Sequence, residues 1–271
     1  MKKIFHILAD EAQFTREILG SGVTQIGKAN YGQRGMYFQA FTGVSTGLER
    51  IGKLCLILDY YIQNDGCFPN DSYLKNEIGH DLIKIYKKSQ EIIKQNGFQL
   101  SYQNEISDPI QIKILDILSR FAKGDRYSNI DFIVGSKYQS DPIKEWSENI
   151  DKKLYELRVS KKKKEKIIHN ARIIGYHLSP ISHVVHYSET GKEINNVEIA
   201  SLLTGMTEAI MKYRQLYVLE IIRYWTELLG ILQSKAMQLG RYEIPFMNEI
   251  FAIFYNNNSY FLTRKTFDTD Y

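Results

Sequence analysis

Ile210, Tyr213, Tyr217, Ile221, Tyr224, Leu228 and Ile231 follow one another in steps of three or four residues. That spacing lines up one face of an α-helix, whereas a strand would need a period of two. Asn195 and Glu198 precede the stripe in the order of a capping box, in which Asn accepts a free N–H of the first turn and Glu reaches back to the cap. A helix of this length is expected to bend, to break near Gly205 or to pack against another chain. Its tyrosine-rich face, from Ile210 to Ile231, offers a surface for a two-fold contact.

Helical spacing recurs upstream. Val44, Leu48, Ile51, Cys55, Leu58 and Ile62 form one stripe that ends at Asn64-Asp65-Gly66, and Ile78, Leu82, Ile85 and Ile92 form a second that ends at Asn96-Gly97. Asp108-Pro109-Ile110-Gln111 reads as a helix start, with Asp as cap, Pro where its missing N–H is not needed and Gln able to reach back. Ile110, Leu115, Leu118 and Phe121 supply that helix's core side. Asp141-Pro142 opens another, striped by Ile143, Trp146, Ile150, Leu154 and Leu157. Ser160 caps the next, whose stripe is Ile167, Ala171, Ile174 and Leu178, closed by Pro180. Residues 183–195 are the one β candidate, two short strands around a Glu189-Thr190-Gly191 turn. The segment after Asn258 reads as loop or short extended chain. The expected fold is all-α with one short β-hairpin, more than half helix and about a tenth strand or less.

A chain of 271 residues buries a sound core as one domain or as two. The stripes divide it into a helical half over 1–140 and a second over 141–271 that holds the long C-terminal helix; one compact domain is the alternative. The net charge of +4, from 35 basic and 31 acidic residues, admits a polyanionic partner but leaves the decision to local patches. Two cysteines, Cys55 on a buried stripe and Cys67 in a loop, argue against a disulfide scaffold or a cysteine zinc site. The apolar run after Lys2-Lys3 is short, contains His6 and leads into charged residues, unlike a signal sequence, and no stretch approaches the ~20 apolar residues of a membrane span. The expectation is a cytoplasmic protein with no membrane partner.

The stretch from Gly47 to Tyr86 joins an apolar helix with charges on its other face, a loop, and the tetrapeptide Gly79-His80-Asp81-Leu82 opening the next helix. Arg126-Tyr127 follows downstream as an arginine with an aromatic after it. In this order and spacing, residues 40 to 135 resemble the HEPN family, and the second half has no comparable match. The resemblance implies a HEPN-like helical bundle with additional C-terminal helices. It further implies a homodimer that acts as a metal-independent endoribonuclease in bacterial defence or as a toxin, with a cognate protein partner or antitoxin. The alternatives are a HEPN-like interaction or sensor subunit that binds RNA or a protein without cleaving, and a helical protein unrelated to the family.

Catalytic members of the family carry an arginine followed after four to six residues by a histidine, usually with a polar residue just after the arginine, and form the site between two protomers. The matching spacing here is Arg172 to His177, with Ile173 in the polar position and outside the resembling segment. Arginine is suited to hold a scissile phosphate, and histidine to move protons at the ribose 2′-OH and leaving oxygen. On an unbroken helix the two point about 140° apart, so Gly175 and Pro180 would have to end the helix early to bring them together. A solvated arginine and a histidine in a helix-ending turn are the alternative reading.

Lys161, Lys162, Lys163 and Lys164 oppose the dipole of the helix they open, which suits phosphate contact with RNA as well as a solvated face. Arg126 reads as a phosphate contact or as the partner of a neighbouring carboxylate. His80 reads as an RNA contact or, with Asp81, as a helix-start pair that satisfies backbone N–H groups or cross-links helices. His169, His177, His183 and His186 lack the cysteines or close carboxylates that would complete a zinc set, so no metal and no cofactor are expected. Glycine-rich phosphate loops of the GxxxxGKS/T kind and HExxH are absent.

Overall fold

The computed structural model describes residues 2–136 and 140–268, and it is 74% helical. The first half holds α1 (Lys2–Lys28), α2 (Gly35–Gln63), α3 (Leu82–Asn96), α4 (Pro109–Lys123) and α5 (Ser128–Ile133). The second holds α6 (Pro142–Trp146), α7 (Lys152–Arg158), α8 (Lys161–Leu178), α9 (Val197–Gln238), α10 (Met247–Ile250) and α11 (Asn258–Thr263). Between α8 and α9, β1 (His186–Tyr187) pairs antiparallel with β2 (Glu193–Ile194). The all-α architecture with one short hairpin is therefore present, and no helix among the described residues is long and apolar enough to cross a membrane.

α9 runs for 42 residues without a break at Gly205, a length of roughly 60 Å. Its cap is Asn196, which accepts the N–H groups of Glu198 and Ile199 at 2.7 and 3.2 Å. The box expected at Asn195 and Glu198 is displaced by one residue, because Asn195 directly follows β2 while Asn196 sits where its oxygen reaches the second and third helical residues. From Arg214 to Gln233 almost every residue is buried, so this part of α9 is a core helix surrounded on all sides. Ile210, Tyr217, Ile221, Tyr224 and Leu228 are buried in that core, with Tyr213 and Ile231 packed against it. The tyrosine stripe is thus covered by the chain's own helices, with α1, α2, α4 and α7 packed on α9, Arg158 of α7 on Tyr217 and Ser89 and Gln90 of α3 on Tyr224, and the expectation that it forms a surface for a second copy is corrected.

α1 and α2 pack along each other and against α9, and the buried cluster draws on both sides of residues 137–139: Leu19, Leu48, Ile85 and Leu118 before, Trp146, Trp225 and Phe254 after. Several stripe assignments shift at their ends. Ile78 lies in a π-helical turn (Tyr73–Ile78) before α3 rather than on it. Leu157, Ile174 and Leu178 are 70%, 38% and 42% exposed, because α7 and α8 meet α9 along one narrow side and nothing covers their ends. Gln111 does not reach back to Asp108; its Nε2 donates to Glu220 Oε2 at 2.7 Å, tying α4 to α9. The segment after Asn257 is the helix α11, capped by Asn257, which accepts the N–H of Tyr260 at 2.9 Å.

Candidate functional site

α8 carries the lysine run and the arginine and histidine of the family-type spacing on the outside of the molecule. Its cap is Ser160, whose Oγ accepts the Lys163 N–H at 3.3 Å. Lys161, Lys162 and Lys163 are exposed. Lys164 instead folds back: its Nζ donates to the Glu156 carbonyl at 3.0 Å and lies 5.2 Å from the centre of the Tyr155 ring. Glu156 is in the last turn of α7, where carbonyls lack helical partners and a cation is favoured. One of the four lysines expected to meet RNA is therefore committed to closing α7, and the other three are exposed, Lys161 with its Nζ 4.0 Å from Glu165 Oε1.

Beyond the run, Ile167, Ala171 and Gly175 form the buried side of α8. A Cβ built on Gly175 would lie 2.7 Å from Glu198 Cβ, and one on Gly205 would lie 2.8 Å from Ile167 Cγ2. These glycines let α8 press against α9, so Gly175 serves packing and the helix continues through Leu178. Arg172 and His177 are both exposed. The continuous helix holds them about 140° apart around its axis and roughly 7.5 Å along it, and does not turn them toward one point within a protomer. Arg172 has no hydrogen bond or ion pair among the described residues, and the His177 ring meets Tyr176 edge-on at 5.1 Å. His169, His183 and His186 are exposed too, and no group of three His, Cys, Asp or Glu among the described residues is placed to hold a metal ion.

The Gly79-His80-Asp81-Leu82 tetrapeptide joins three helices. Asp81 caps α3, accepting the N–H groups of Ile83 and Lys84 at 3.0 and 3.2 Å, and also takes Ser119 Oγ at 3.1 Å and Lys123 Nζ from α4. Desolvation raises its carboxyl pKa, but Lys123, the backbone N–H and Ser119 outweigh this and hold it below the usual aspartate value. His80 Nδ1 lies 3.0 Å from Glu49 Oε1 on α2, so it cross-links α2 to the start of α3. Arg126 sits in the short turn after α4, exposed, 5.3 Å from the Tyr127 ring centre and without a carboxylate partner among the described residues. His80, Arg126 and α8 lie on separate elements, and the structure gathers no contact between them.

A buried polar group that periodicity did not mark lies in α9. Arg214, 1% exposed, donates from Nε and Nη2 to the two oxygens of Asp151 at 2.7 and 2.6 Å, from Nη1 to the Ala29 carbonyl at 2.6 Å and from Nη2 to Tyr37 Oη at 2.9 Å. Trp146 Nε1 donates to Asp151 Oδ1 at 3.0 Å, and Tyr37 Oη donates to Glu189 of the hairpin turn at 3.2 Å. Burial pushes the Asp151 carboxyl up against the pull of Arg214, and burial likewise raises the Tyr37 hydroxyl well above its usual value. Asp151 ends a π-helical turn (Ser147–Asp151), an irregularity often found at functional positions, and a 220 Å³ cavity reaches Asp151, Glu189 and Arg214. Within the fold the network pins the hairpin, α7 and α9 to α1 and α2. Its one signal in the sequence was a charged residue within the apolar-rich part of α9, as are Glu220, Arg223 and Glu227, since a charge must be paired when buried. Compared with models of known families, with curated proteins and with solved structures, the chain matches none.

Proposed function

We propose that the protein acts on RNA as a HEPN-like, metal-independent endoribonuclease of bacterial defence or toxin type, with Arg172 and His177 as its reacting pair. The observation that carries this reading is the exposure of both residues on the outer side of α8, with Arg172 unpaired among the described residues. The three solvated lysines at the start of the same helix supply phosphate attraction. Because an unbroken α8 keeps the pair about 140° apart, the reading requires two copies, Arg172 of one chain meeting His177 of the other. Tyr176, 80% exposed between them, gives such a contact an aromatic centre. Arg172 then holds the scissile phosphate while His177 moves the proton.

Incubation with total RNA, with and without EDTA, tests the reading. Cleavage is expected to survive EDTA, and Arg172→Ala and His177→Ala are each expected to reduce it by at least ~100-fold while leaving the circular dichroism unchanged. Mixing the two variants should restore part of the activity, since a mixed dimer keeps one intact pair; a site contained within one chain would show no recovery. A second reading, a HEPN-like interaction or sensor subunit, is favoured by the continuity of α8 through His177. It predicts no cleavage by the parent protein and binding that both alanine variants retain.

A further inference from the structure

A cavity of 520 Å³ opens between the start of α2, the turn after α4 and the start of α6, within the size range of small-molecule sites. Phe41 and Phe121 are buried with ring centres 5.5 Å apart, and Phe38 meets Phe121 at 5.4 Å while staying 47% exposed. An aromatic ring that is fixed by a near-perpendicular neighbour, at 73° here, and half exposed at a cavity is suited to stacking. Asp125 and Asp141 also line the cavity, but both are engaged: Asp125 accepts from Arg120 Nη1 at 3.3 Å, and Asp141 caps α6 by accepting the Lys144 N–H at 2.9 Å and lies 3.9 Å from Arg34. Arg126 at the rim has no such partner among the described residues. Ser128 and Asn129 line the same wall, and their side chains make no hydrogen bond among the described residues.

These groups divide the cavity by chemistry. Phe38 offers a flat apolar face, Asn129 and Ser128 offer donors and acceptors suited to a base edge, and Arg126 offers a permanent positive charge beside them. We infer that the cavity takes one unpaired nucleotide unit, its base stacked on Phe38 and its phosphate on Arg126. The unit comes either as a free nucleoside monophosphate or as an unstacked residue of single-stranded RNA; only this second source rests on the RNA reading of α8.

Calorimetric titration with adenosine 5′-monophosphate and with adenosine, beside fluorescence anisotropy with a labelled single-stranded oligoribonucleotide of about ten nucleotides, tests the site. The wild type is expected to bind the monophosphate. Phe38→Leu, which keeps apolar bulk against Phe121 but removes the stacking face, should weaken that binding roughly tenfold or more, while Phe38→Tyr should retain it. Arg126→Ala should weaken the monophosphate more than adenosine. Monophosphate binding with this Phe38 dependence, but no oligoribonucleotide binding, would support the cavity as a free-nucleotide site and remove RNA from the reading of α8. Oligoribonucleotide binding unchanged by Phe38→Leu, with no monophosphate binding, would overturn the cavity proposal and leave the α8 reading standing. Equal loss in Phe38→Leu and Phe38→Tyr would also overturn it, since the ring would then serve packing alone.

Discussion

Arg214 is the residue whose role depends most on its surroundings. Both carboxylate oxygens of Asp151 face its guanidinium, and the pair is out of solvent. Removing one member leaves the other charged and unpaired in the core, which typically costs about 3–5 kcal/mol, whereas removing both together costs less than the sum. Arg214→Met is therefore expected to lower unfolding stability by about that amount, and Arg214→Met with Asp151→Leu to recover part of the loss, both read from urea denaturation at pH 7. A loss under about 1 kcal/mol for the single variant would show that water or a rearranged partner satisfies Asp151. Arg172 stands at the opposite extreme, and its exposure and lack of partners among the described residues let it be replaced without unfolding the chain.

At the level of elements, two contacts decide how helices are placed. The start of α9 depends on Asn196, so Asn196→Ala is expected to cost about 1 kcal/mol and Asn195→Ala a few tenths at most, measured by thermal unfolding; the reverse order would restore the cap to Asn195. α4 and α6 are joined by Arg120, whose two terminal nitrogens donate to Glu145 at 2.9 and 2.5 Å. Those bonds, with the added charges of Arg120 and Lys113, hold Glu145 below the ordinary glutamate value of 4.5. A carboxyl that binds its proton less readily when folded stabilises the fold above its ordinary value, and that contribution is lost as pH falls through the folded-state value. Unfolding stability should thus drop between about pH 5 and pH 3, and Glu145→Gln should flatten that part of the profile. An equally steep drop in the variant would move the effect to other carboxylates, with Asp81 and Asp116, also held low, the next to replace.

For the whole molecule, the tyrosines separate into those that build the core and those left exposed. Tyr224 is buried, with its hydroxyl 2.7 Å from Ser89 Oγ and 2.6 Å from Gln90 Nε2, and Tyr224→Ala should cost about 3–5 kcal/mol. Tyr176 is exposed on α8, and if the proposed ribonuclease dimer forms there, Tyr176→Glu is expected to turn it into monomer by light scattering at micromolar concentration while leaving the circular dichroism unchanged. A dimer that survives this change would place the contact elsewhere. The sequence alone showed α2, α3, α4 and the run from α6 to α9, since three-four spacing, the Asp108 and Asp141 starts and the Asn64-Asp65-Gly66 and Asn96-Gly97 stops are local chemistry acting within one or two turns, whereas α1 went unmarked and α11 read as loop. It also showed the hairpin around Gly191, where φ is +79°. Only the tertiary structure decided which stripe faces the core and which faces solvent. The face of α9 that looked like a contact surface is enclosed by the chain's own helices, α3 and α7 among them, and the ends of α7 and α8 that looked buried are open, because a period reveals that residues share a face but not what arrives from elsewhere in the chain to cover it. The same limit hid the pairing of Arg214 with Asp151, 63 residues apart, and the meeting of Phe38 with Phe121 around an open cavity: both are set by how α2, α4, the turn before α7 and α9 converge, and no local pattern records that.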